Sequence, residues 1–94
     1  MPGLIVFELA SVTNVSTIEI GGWVGDKSIW SPTNGVGATI LTSTDSYNWT
    51  EVGKIPSHFG ESVIQVVLKP TNAKYIKFQH SGFLGLGYLN ILNY

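Results

Sequence analysis

The chain has no cysteine and no arginine, and little charge of either sign. Without cysteine, neither a disulfide framework nor a thiolate metal site can staple a small domain, so stability has to come from packing. Charged residues make up 12% of the 94 positions, and five lysines against six acids leave a formal net charge of -1. A balance this close to neutral supplies no basic field to neutralise a phosphate backbone, which excludes nucleic acid as the expected partner. Long hydrophobic runs are also missing. The longest, such as Leu4 to Phe7, fall far short of the 18 or so residues that a membrane-spanning helix needs. The start Met1-Pro2-Gly3 carries no basic region, long apolar stretch or small-residue cleavage site. The expectation is therefore synthesis in the cytoplasm without a signal peptide, with a virion or an extracellular assembly as candidate destinations.

Helical periodicity is the next absence. No stretch of eleven residues spaces its apolar positions at i, i+3, i+4 and i+7. What recurs instead are short segments rich in Val, Ile, Thr, Phe and Tyr, separated by clusters of Gly, Pro, Asn, Asp and Ser. That is the pattern of an all-β sandwich or barrel. With 44% apolar residues and eleven aromatics among them (three Trp, four Tyr, four Phe), one well-filled core is within reach and disorder is not expected. At this length a single domain over residues 1–94 is expected, with no linker and no internal repeat.

Seven strands are predicted: Leu4 to Leu9, Ser16 to Gly21, Gly37 to Thr42, Thr50 to Ile55, Ser62 to Leu68, Lys74 to His80, and Tyr88 to Tyr94. Alternation assigns Ile18 and Ile20 to one face and Thr17 and Glu19 to the other, because successive side chains point to opposite sides. Tyr75, Lys77 and Gln79 oppose Ile76 and Phe78, so that strand is wet on one side. Val63 to Leu68 is nearly continuous apolar, the pattern of a strand covered on both faces. Trp49, directly after a turn, is assigned to the core.

If consecutive strands run antiparallel, their connections alternate between two ends of the sandwich. Tight turns near Ala10 to Val15, Ser43 to Trp49 and Lys69 to Ala73 then share one end. The other end gathers Gly22 to Val36, Pro56 to Glu61 and Ser81 to Gly87. This second end is the candidate site, because loops on a rigid scaffold carry function disproportionately. It brings together Trp23, Asp26, Lys27, Trp30, Asn34, His58, Phe59 and Phe83. Exposed rings suit sugar recognition: a ring covers the apolar face of a pyranose while amides, acids and imidazoles bond its hydroxyls. The stacking candidates are Trp23, Trp30, Phe59 and Phe83, each of which also reads as an aromatic capping the end of the core.

Catalysis has no local signature, and no enzyme activity is expected. His58 and His80 stand 22 residues apart, outside any HxH or HxxxH spacing. A zinc site would need both, with Glu61 or Asp26 brought to them by the fold; hydrogen-bonded or solvated histidines are the plainer reading, and no metal or cofactor is expected. Asp45, within Ser43-Thr44-Asp45-Ser46-Tyr47-Asn48, reads as a turn former bonding its own backbone. Gly82 to Gly87 is glycine-rich but opens no helix, so it lacks the geometry that binds phosphate at a helix N-terminus. Its glycines either push Phe83, Leu84 and Leu86 outward or fold them back over the end of the sandwich. Asn14-Val15-Ser16 and Asn48-Trp49-Thr50 match the glycosylation pattern and are read as chance.

The stretch Ile40 to Gly53, ILTSTDSYNWTEVG, resembles the discoidin or coagulation-factor type C domain, a galactose-binding-like sandwich. That family has a strand, then Ser-x-Asp, a short turn, then Trp and a polar strand. Phe7-Glu8-Leu9 with Val15 to Ile20, then Ala73-Lys74-Tyr75-Ile76-Lys77-Phe78, and the ending Gly87 to Tyr94 are similar to its other strands in the same order. The resemblance implies an antiparallel β-sandwich of jelly-roll type. It also implies a non-catalytic role in binding carbohydrates, cell-surface components or lipids through loops at one end, with Phe83 in the loop whose aromatic stacks on sugar. The chain departs from the family by being shortened on its N-terminal side, and by lacking the family's calcium site, cysteine pair and sugar-binding arginine; Lys27 is the one cation in the long loop. Two roles follow as expectations: a binding module for a glycan or other cell-surface ligand, or an assembly protein, such as a virion or appendage subunit, whose aromatic end meets a protein partner or a second copy.

Overall fold

The structure, a computed structural model, describes residues 3–21, 37–56, 63–80 and 88–92. Five strands account for most of them: β1 (Gly3–Gly21), β2 (Thr39–Ser43), β3 (Thr50–Lys54), β4 (Val63–His80) and β5 (Tyr88–Leu92). All pairings are antiparallel and the strand order is β3-β2-β4-β1-β5.

The spine is the ladder between β1 and β4, which runs from Gly3 opposite His80 to Gly21 opposite Val63. A straight strand as long as β1 would reach about 60 Å, yet the longest dimension of the molecule is 33 Å. The ladder therefore folds back on itself, and two breaks in register show where. Between Glu8 and Thr13 the residues Leu9 to Val12 of β1 stand against Lys74 alone, and between Val15 and Thr17 the excess passes to β4, where Leu68 to Pro70 stand against Ser16. Extra residues on one strand bend it and increase its twist. Pro70 has no N–H to donate, so it is tolerated where the ladder is already interrupted. At the bend, Asn14 Nδ2 donates to Asn72 Oδ1 at 3.3 Å, and Thr13 Oγ1 donates to the Ser11 carbonyl at 3.1 Å.

One hydrogen-bonded sheet thus becomes two layers. The first half of β1 and the second half of β4 join β2 and β3 in one layer; the second half of β1, the first half of β4 and β5 make the other. Val15, Ile18, Ile20, Ile64, Val66 and Leu68 from one side meet Ala38, Ile40, Val52, Ile55, Ile76 and Phe78 from the other in a single core. Burial follows alternation except at the bend, where Val15 and Ile18, or Ala73 and Ile76, are fully buried three positions apart; one extra residue between them restores the inward face. Phe78 lies between Ile5 of β1 and Ile40 of β2 and meets the Phe7 ring edge-on, centroids 5.8 Å apart. The layers come closest at Gly53, where a β-carbon would sit 3.0 Å from Leu68 Cδ2, so glycine there lets β3 approach the facing layer.

All seven predicted segments lie wholly or largely in strands, and the all-β, antiparallel expectation holds. Two of the predicted tight turns do not exist: Ala10 to Val15 and Lys69 to Ala73 belong to β1 and β4. Polar residues and a proline suggested reversal, but here they mark bulges at which two strands bend together. Val63 to Leu68 is not covered on both faces, since Val67 is 81% exposed while Ile64, Val66 and Leu68 are buried. Phe78→Ala is expected to cost about 3–5 kcal/mol in urea unfolding, whereas Tyr47→Ala, truncating a ring that is 86% exposed, should stay within about 0.5 kcal/mol.

Candidate functional site

The fold-back decides where the connections lie. In one layer the ladder ends at Gly21, which pairs with both Val63 and Tyr88. In the other, His80 pairs with Gly3, and Thr39 pairs with both Gln79 and Lys54. Gly37 N–H donates to the Ile55 carbonyl at 2.8 Å, and Ile55 N–H to the Ala38 carbonyl at 2.9 Å, closing the β2–β3 pair at that same end. Gly37 takes φ of +85°, a left-handed conformation that glycine adopts without strain. Because the ladder doubles back, both sets of strand ends share one pole of the sandwich. The stretches 22–36, 57–62 and 81–87 are each bracketed by residues at this pole, one from each layer.

Every predicted ligand-binding residue, namely Trp23, Asp26, Lys27, Trp30, Asn34, His58, Phe59 and Phe83, falls in those stretches and outside the described residues. Glu61 does as well, along with Leu84 and Leu86. The bracketing strand ends are thus what bears on their gathering. Among the described residues no three of His, Asp and Glu come together as a metal-binding group.

At the opposite pole, the turn between β2 and β3 is built around Asp45. Its Oδ1 accepts from the Tyr47 N–H at 2.8 Å, the Asn48 N–H at 2.9 Å and the Ser43 hydroxyl at 2.9 Å, and its Oδ2 accepts from Asn48 Nδ2 at 2.8 Å. The backbone N–H groups of Asn48 and Tyr47, followed by the Asn48 and Ser43 side chains, hold the Asp45 carboxyl well below the usual carboxylate range. Ser43 Oγ in turn accepts from the N–H groups of Asp45 at 3.2 Å and Ser46 at 2.8 Å, which holds Ser46 in the left-handed region at φ of 65°. With every short contact of this carboxylate directed into its own turn, its chemistry is structural, as the sequence suggested.

Trp49 corrects the sequence reading. It is half-buried rather than a core residue and lies on the outer face of the β3-β2-β4-β1 layer, where its ring meets Tyr75 at 6.4 Å and 64° and Lys77 Nζ stands 4.1 Å from its centroid. Tyr75 and Lys77 face outward because they alternate with the buried Ile76 and Phe78. A cation over an indole face is attractive by about 0.5–1 kcal/mol at an exposed site, and it occupies a face that a sugar would need. Beside it, Lys74 reaches Glu8 Oε2 at 3.5 Å, a half-exposed pair worth little to stability. The alternation of Tyr75 and Lys77 was legible in sequence; Trp49 follows a turn and had no neighbour in its own strand to fix its side.

No family model and no curated protein matches this chain. Solved structures do. A fragment of a putative chitobiase from Bacteroides thetaiotaomicron is similar with a TM-score of 0.78 at 18% identity, over 98% of this chain and 60% of that one. CpGH89CBM32-5 from Clostridium perfringens, solved in complex with GalNAc-β-1,3-galactose, gives 0.74 at 18% identity, over 99% and 67%. Chitosan-binding module 1 of a chitosanase/glucanase from Paenibacillus sp. IK-5 gives 0.63 at 22% identity, over 95% and 64%. This chain spans about two thirds or less of the length of these structures. The likeness establishes the fold as an antiparallel β-sandwich of the galactose-binding-like, jelly-roll kind, the fold shared by carbohydrate-binding modules.

Because the Asp45 carboxyl is lowered in the folded state, the stability it contributes is fully present above the unfolded value of about 4 and is lost as pH falls below it. Asp45→Ala should therefore lower the urea midpoint at neutral pH, and the gap to wild type should narrow steadily between about pH 5 and pH 2. A gap independent of pH would show that the carboxylate charge plays no part.

Proposed function

We propose that this chain is a non-catalytic carbohydrate-binding module of discoidin type whose ligand site is the pole that carries 22–36, 57–62 and 81–87. The observation that carries this reading is the bracketing of all three stretches by strand ends at one pole of a fold that carbohydrate-binding modules share. Four aromatic residues (Trp23, Trp30, Phe59, Phe83) and four hydrogen-bonding residues (Asp26, Lys27, Asn34, His58) lie in those stretches. Rings supply an apolar platform for the C–H face of a pyranose, and the polar groups supply donors and acceptors for its hydroxyls. No nucleophile and base need be arranged for such a task, which fits the scattered acids and the lack of a catalytic signature. The ligand class is a neutral glycan, since Lys27 is the single cation among those stretches.

Titration calorimetry against galactose- and N-acetylhexosamine-containing oligosaccharides tests this. Trp30→Ala and Phe83→Ala are each expected to weaken binding about tenfold or more, equivalent to about 1.4 kcal/mol. Trp49→Phe, at the far pole, should leave the affinity within about twofold. Absence of binding to every sugar, or binding indifferent to Trp30 and Phe83, rejects the assignment.

A second reading, assembly with a protein partner, is favoured by a different region: the outer residues Leu4 and Val6 on the free edge of β1 are 61% and 48% exposed.

A further inference from the structure

The first half of β1 is an unprotected sheet edge. Gly3 to Glu8 pair with β4 on one side, and among the described residues no strand lies on the other, since β5 pairs only with Thr17 to Gly21. Both faces of this edge are apolar. Leu4 and Val6 point outward and are exposed, while Ile5, Phe7 and Leu9 point to the core yet are only partly covered. The equivalent core-facing residues one strand inward, Ile76 and Phe78, are fully buried. The core thus stops one strand short of closure at this side. The segment from Gly3 to Phe7 carries no charge or proline, none of the devices that usually blunt an edge against pairing. The nearest charge, Glu8, is already neutralised by Lys74.

We propose that this edge pairs with the same edge of a second copy of the chain, as an antiparallel two-fold dimer centred on Ile5. A two-fold axis makes the interface isologous, so the segment must complement itself. Directly opposed residues in an antiparallel pair share a face, and centring on Ile5 sets Leu4 against the second copy's Val6 twice on the outer face and Ile5 against Ile5 on the core face. Shifting the centre to Val6 would instead oppose Leu4 to Glu8 and draw that carboxylate from Lys74; the electrostatics favour the Ile5 register. The second copy's strand covers Ile5 and Phe7 and extends the four-stranded layer into a continuous eight-stranded one. An edge of about five residues per copy falls at the small end of specific interfaces, below about 1,200 Å² in total, so the dimer is weak and concentration-dependent. Antiparallel pairing points the two loop-bearing poles in opposite directions. The proposal is independent of what those poles bind.

Sedimentation velocity on the full chain from about 10 μM to about 1 mM, the range a small interface implies, tests it. The expected mass rises with concentration toward twice the 10.2 kDa of the chain. L4E/V6E, substituting two outward-facing residues with circular dichroism to check folding, opposes like charges across the axis and should remain monomeric throughout. L4K/V6E sets lysine against the second copy's glutamate in the proposed register, and should restore a dimer that weakens with salt. Wild-type protein monomeric at the highest concentration overturns the proposal, as does an L4E/V6E variant that dimerises like wild type. A folded but monomeric L4K/V6E overturns the Ile5-centred register.

Discussion

A long antiparallel ladder with one apolar face has to bury that face, and with no cysteine or metal to help, the way this chain does so determines everything else. The β1/β4 ladder bends at two bulges so that its halves close on each other. Short strands then fill in at the sides: β2 and β3 against one half, β5 against the other. Phe78, Ile76 and Ile40 from one layer and Ile18, Ile20 and Val66 from the other form the shared interior. Because the ladder doubles back, its two ends arrive at one pole, and that coincidence gives the molecule an end where three stretches of chain meet. The function proposed above is a consequence of the bend before it is a consequence of any side chain.

The two poles differ in how they are held. At the turn between β2 and β3, a carboxylate, a hydroxyl and an amide direct their hydrogen bonds into the backbone, and Trp49 is fixed by Tyr75 and Lys77 a short distance away. Those groups hold the pole together and have few contacts left for a ligand. The other pole is defined by strand ends, and its aromatic and polar residues lie in the stretches between them. A division of this kind, with a self-satisfied turn at one end and chemistry-bearing connections at the other, suits a scaffold that holds a recognition surface without taking part in it.

Much of the fold was legible because strands announce themselves locally. Alternation in Ser16 to Gly21 and Lys74 to His80, and the Ser43-x-Asp45 turn before Trp49, required no knowledge of distant residues. What the sequence could not disclose was continuity. Ala10 to Val15 and Lys69 to Ala73 carry the polar and proline residues that usually mark reversals, and only the partner strand shows that each is a bulge: Leu9 to Val12 are excess relative to β4, and Leu68 to Pro70 relative to β1. The side taken by Trp49 was unreadable for a related reason, since it depends on Tyr75 and Lys77, which are remote in sequence. The grouping of the three connections at one pole survived the misread turns, because a reversal and a fold-back both return the chain to the same end. The eight residues of the candidate site remain a reading of the sequence, anchored by the strand ends beside them.

The pairing of Gly3 with His80 also governs how the protein reaches this state. Apart from the β2–β3 hairpin, every ladder joins segments far apart along the chain, and the central one joins residues near its two extremes. Loop-closure entropy must be met before such contacts give any return, so folding is expected in milliseconds to seconds rather than microseconds. Until β4 is in place, β1 has no hydrogen-bonding partner at all along its first half, and the uncharged run from Gly3 to Phe7 stays available to other chains. The slowest step in forming the sandwich is thus also the period in which its concentration matters most.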